Sequence, residues 1–98
     1  MAQARREGNG VVLTDHVFDK VRSIDMTLAE FEELLGGGEV IEETPVEEGV
    51  KELVLIIEWT RPLHVVVVVD DIRQQERIVT VYEPDKDRWS PDFRVRKP

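Results

Sequence analysis

The first half of the chain carries apolar residues at helical spacing, and the second half carries them at strand spacing. In residues 13–24, Leu13, Val17, Val21 and Ile24 fall at i, i+4, i+8 and i+11, with Thr14 or Asp15 available as N-cap, which predicts a short amphipathic helix. A second helix follows, because Thr27 and Glu30 have capping-box spacing, Phe31, Leu34 and Leu35 form an apolar stripe, and Gly36, Gly37 and Gly38 stop it. After the glycines the period changes to two and β-branched residues take over, predicting strands at 39–44, 52–59, 63–70 and 77–83.

Connection lengths set the expected topology. Only Thr60, Arg61 and Pro62 separate the second and third strands, and six polar-rich residues separate the third and fourth, so parallel crossovers are ruled out and both pairs should be antiparallel. The third strand is apolar on both faces from Val65 to Val69, which makes it central and demands cover on both sides. Trp89 and Phe93 in the tail are suited to one cover, with Arg88, Arg94 and Arg96 left in water. The expected fold is therefore α+β: two N-terminal helices packed on a four-stranded antiparallel meander, in the order α-α-β-β-β-β, with a C-terminal tail. Residues 1–10 read as a disordered N-terminal tail and 11–98 as one domain.

Composition narrows the setting. The 98 residues include no cysteine, which removes disulfides and thiolate metal sites and suits a reducing cytoplasm. The longest apolar runs are five residues, against about 20 for a membrane helix, so no membrane association is expected. A formal net charge of -8 disfavours RNA or DNA as a general partner, since phosphate binding rests on Lys and Arg displacing counterions. The charge is uneven: residues 15–58 hold thirteen acids against three bases, whereas residues 84–98 hold five bases against three acids.

Few side chains offer chemistry. His64 opens the most apolar strand and shares a face with Val66, Val68 and Asp70; it is either a packed histidine with satisfied nitrogens or a general acid/base. Thr80 and Tyr82 point to one face of the last strand, and register decides whether that is the histidine's face. His16 and Lys20 lie beside the apolar stripe of the first helix. Arg61, Arg94 and Arg96 are candidate phosphate contacts, because guanidinium forks bind phosphate oxygens in pairs, and surface pairing with nearby acids is the competing role. The two histidines and Asp70 have unrelated spacings, so neither a metal site nor a cofactor is expected.

Three stretches together resemble a known family: Gly38-Glu39-Val40-Ile41-Glu42, Arg61-Pro62-Leu63-His64-Val65-Val66, and Ile78-Val79-Thr80-Val81-Tyr82-Glu83-Pro84-Asp85 followed by Trp89, Phe93, Arg94, Arg96 and Lys97. They resemble the bacterial and archaeal family of unknown function DUF4258, whose helix-helix-strand layout is similar to RelE-like RNA-cleaving toxins and the wider barnase-like and colicin-like nucleases. The resemblance implies a metal-independent ribonuclease of a toxin-antitoxin system, restrained by an antitoxin or other protein partner. It makes His64, His16 and Tyr82 the catalytic candidates, with Arg61, Arg94 and Arg96 on the substrate side. The first helix departs from the family pattern, keeping only Lys20 and Arg22 as bases, and the loop Val46-Glu47-Glu48-Gly49 adds acid where an RNA binder wants base. The alternative is a noncatalytic protein-interaction domain with an acidic surface and a structural His64.

Overall fold

A computed structural model describes residues 11–98, and the expected N-terminal tail lies outside the described residues. Its elements run β1 (Val11–Leu13), α1 (Asp15–Ser23), α2 (Leu28–Gly36), β2 (Glu39–Val46), β3 (Gly49–Ile56), β4 (Leu63–Asp70) and β5 (Gln75–Tyr82). Thr14 starts α1 by accepting the Val17 N–H at 3.3 Å, and Lys20 and Arg22 in the last turn suit the negative end of the helix. In α2 both halves of the capping box form: Glu30 N–H donates to Thr27 Oγ1 at 3.1 Å and Thr27 N–H donates to Glu30 Oε1 at 3.3 Å. Gly37 then closes the helix, its N–H returning to the last-turn carbonyls.

The strands form one sheet in the order β1-β5-β4-β3-β2. This overturns the expected four-stranded antiparallel meander, because the sheet has five strands and is mixed: β1 lies parallel to β5, with Val11 opposite Glu76 and Leu13 opposite Ile78. Leu13 therefore belongs to a strand and not to the first helix. Its spacing to Val17 mimics a helical stripe, but Thr14 caps the helix after it and leaves Leu13 free to pair.

Within the sheet β2 pairs antiparallel with β3, β3 with β4, and β4 with β5. The β2–β3 hairpin turns on Glu47 and Glu48, with Val46 opposite Gly49. Only glycine fits at position 49, since a Cβ there would run into the Val69 carbonyl oxygen on β4. At the other hairpin, buried Asp70 accepts N–H bonds from Ile72 at 3.0 Å and Arg73 at 2.9 Å, and its second oxygen takes an Arg73 Nη1 bond at 2.7 Å. Ile41 and Val79 are extra residues in the β2–β3 and β4–β5 ladders, each forming a bulge.

β4 is the central strand, as its apolar run on both faces requires. On one side Val17 and Val21 of α1 and Phe31 and Leu35 of α2 share a core with Val54, Ile56, Leu63, Val65, Val67, Ile78 and Val81. On the other side residues 84–98 cross the sheet, with Trp89 buried and bridged to Arg96. Among the described residues no helix is long and apolar enough to cross a membrane.

Candidate functional site

The tail-covered face of the sheet holds the polar cluster that the sequence singles out. His64 on β4 lies directly opposite Tyr82 on β5 and Leu55 on β3, so histidine and tyrosine share a face. The His64 side chain has 0% of its surface exposed. Its Nε2 lies 2.9 Å from the Phe93 carbonyl oxygen and its Nδ1 lies 3.2 Å from Tyr82 Oη.

Those two contacts fix the tautomer. A carbonyl oxygen only accepts, so Nε2 carries the proton and donates it to Phe93, and in a neutral ring Nδ1 is left to accept from the Tyr82 hydroxyl. Trp89 closes the remaining side edge-on, its ring centre 4.4 Å from that of His64. Burial holds the imidazole below its ordinary value of 6.5, outweighing the Phe93 carbonyl and the Glu42 charge, which favour protonation. Burial also raises Tyr82, which keeps its proton at neutral pH.

Chain geometry makes this arrangement. Phe93 adopts a left-handed conformation with φ of 62°, within a turn where its N–H donates to the Ser90 carbonyl at 2.8 Å. Asp92 braces that turn by accepting from Ser90 Oγ at 2.6 Å and from the Arg94 N–H at 3.2 Å. The Phe93 carbonyl thereby meets the histidine.

Outside this His–Tyr pair, each candidate arginine is matched to an acid. Arg96 binds Glu42 through Nε at 2.8 Å and Nη2 at 3.1 Å, and its guanidinium sits 4.7 Å from the Trp89 ring centre. Arg94 grips Glu39 at 2.9 Å and 2.8 Å and approaches Asp92 at 3.5 Å. Arg61 pairs with Glu83 at 3.0 Å and stacks 5.0 Å from Trp59. His16 is exposed on α1, with Nε2 3.5 Å from Thr80 Oγ1, and joins β5 instead of the His64 cluster. Thus His64, Tyr82 and Arg96 are brought to one region, with Arg94 anchoring the tail nearby, while Arg61 and His16 serve other contacts.

A small cleft of about 100 Å³ beside the cluster is lined by Tyr82, Arg96, Glu42 and Lys51, among others. Sequence reasoning missed Lys51 and the acids Glu39 and Glu42 that neutralise the tail arginines. Their signal was present: two carboxylates three apart on β2 and two guanidiniums two apart in the tail. The Phe93 carbonyl had no such signal, since a backbone atom leaves no mark in the residue pattern. Among the described residues no group of three His, Asp or Glu side chains is placed to hold a metal ion.

An α+β domain with a mixed five-stranded sheet, helices on one face and, on the other, a histidine buried under the tail and bonded to a half-buried tyrosine is the class that these features define. The family described as a domain of unknown function, DUF4258, matches residues 13–83, well over half of the chain, and the protein belongs to that family. No curated protein and no solved structure matches the chain.

Proposed function

We propose that this chain is a noncatalytic protein-interaction domain that binds a basic partner through its acidic surface, with His64 serving the packing of the tail. The observation that carries this reading is the sealed imidazole. A general base needs a lone pair within reach of a substrate proton, and the His64 lone pair is already occupied by Tyr82 behind a ring with no exposed surface. The paired arginines support the same reading, because phosphate binding would first break a carboxylate contact. So does the net charge of -8.

A second reading, the metal-independent ribonuclease held in check by an antitoxin, retains one specific observation. Tyr82 and Arg96 line the same cleft as Lys51, so a half-buried phenol bonded to an imidazole shares that cleft with two cations, alongside the carboxylates of Glu42 and Glu52. In that reading the ribose 2′-hydroxyl attacks phosphorus and loses its proton to water, Tyr82 turns its proton from His64 Nδ1 to the leaving 5′-oxygen and regains one from water, and Arg96 and Lys51 stabilise the charge at the phosphorus centre.

Incubation of the purified chain with mixed RNA at low salt and without metal separates the two. The interaction reading expects intact RNA, harmless expression in cells, and a His64 ring whose NMR titration midpoint lies below 6.5. Cleavage by wild type that is lost in folded Tyr82→Phe or His64→Gln would replace it with the nuclease reading.

A further inference from the structure

On the helix side, at the C-terminal end of α2, a notch of about 140 Å³ opens between the helix and the end of β3. Its floor is apolar, formed by Leu34, Ile56 and Ile57, and Ile57 is 54% exposed. Its rim carries two carboxylates, Glu33 and Glu58. Among the described residues neither carboxylate makes a hydrogen bond or an ion pair, in contrast to Glu39, Glu42, Glu48 and Glu83, which each hold an arginine.

The helix end adds to the negative potential. The last turn of α2 contains no basic residue, so no cation on the helix offsets the negative end of its dipole beside the notch. Gly37 at the wall leaves the approach open: a Cβ there would meet only the Leu34 carbonyl, at 3.8 Å. The ligand chemistry that matches an apolar floor, two unanswered carboxylates and a helix C-terminus is a cation on an aliphatic stem.

We infer that this notch is the docking pocket for a lysine or arginine side chain of the basic protein partner, an inference that rests on the interaction reading above. The stem lies along Leu34 and Ile57, and the charged head sits between Glu33 and Glu58.

NMR titration of the labelled full chain tests this with three probes: acetyl-arginine methylamide, its neutral citrulline counterpart, and a decapeptide alternating arginine with alanine. The arginine compound should shift the amides of Leu34, Gly37, Ile57 and Glu58, and the citrulline compound should not. The double variant Glu33→Gln/Glu58→Gln should weaken decapeptide binding about fivefold, an effect in the range for charge pairs at a partly desolvated contact. A control double variant, Glu43→Gln/Glu47→Gln, changes net charge equally and should weaken binding less than about twofold. If the decapeptide binds wild type but both variants weaken it alike, or if the citrulline probe shifts the same amides, the notch is overturned while a basic partner stands. If the decapeptide leaves the wild-type spectrum unchanged, the interaction reading falls and the notch falls with it.

Discussion

The two faces of the sheet are covered by different physics. Under the helices the contact is almost wholly apolar: Val17, Val21, Phe31 and Leu35 meet strand residues with no surface left to water or nearly none. Under the tail the contact is polar and matched: an imidazole between a phenol and a carbonyl, and two arginines laid on two glutamates. Apolar packing is tolerant of direction, whereas hydrogen-bonded burial demands each partner in place, so the tail face is specific more than it is strong. Charge follows the same division. The tail face answers Glu39 and Glu42 with arginines, and among the described residues the helix side gives Glu33 and Glu58 no such partner.

That contrast predicts unequal mutational costs. Phe31→Ala should be the most damaging change, about 3–5 kcal/mol in denaturant unfolding, because it opens a cavity in the core shared by both helices and the sheet. His64→Leu keeps the volume but strands the Phe93 carbonyl and the Tyr82 hydroxyl, and should cost about 2–4 kcal/mol. If the leucine variant were as stable as wild type, the tail face would be ordinary apolar packing and the comparison would fail.

Acid should act on the tail face first. As pH falls through 6.5 the unfolded histidine takes a proton while the buried one resists, so the unfolded state binds more protons and stability falls. The slope should not exceed about 1.4 kcal/mol per pH unit and should be absent between pH 7 and 5 in His64→Leu. Asp70 acts later. Its carboxyl is held below its ordinary 3.8, chiefly by the Arg73 N–H, so the stability it contributes is complete above that value and is lost as pH falls through its lowered folded value.

Smaller effects belong to the edges. Thr27→Ala removes one half of the capping box and should cost about 1 kcal/mol, visible as a lowered midpoint in urea. Arg96→Gln breaks an exposed pair with Glu42 and should cost less than about 1 kcal/mol. Its sharper readout is Trp89 fluorescence, which should change as the guanidinium leaves the indole face.

Legibility in the sequence tracked how local the determining contacts are. The α2 start was readable because Thr27 and Glu30 bond each other three residues apart, and β4 was readable because a β-branched run needs cover on both faces. β1 was not readable: three residues, Val11 to Leu13, pair with Glu76 to Ile78, and Leu13 imitates the start of the helical stripe. Of the candidate site, His64 could be placed on its strand, but its relation to Tyr82 depended on register, which the Val79 bulge shifts. The arginines were correctly seen to have acids as competing partners. Which acids held them required the tail to be folded.

The parallel pairing of β1 also orders events in time. Every other ladder joins neighbouring strands through a short connection, but Val11 must find Glu76 across both helices and three strands, and the entropy of closing that loop is met only after the hairpins exist. β1 should therefore be the last strand to dock and the first to leave, giving the β5 edge a lower local unfolding energy than the central β4. In amide exchange the chain would then be protected from the inside outward, with its first described strand acting as a late clasp on a sheet already formed.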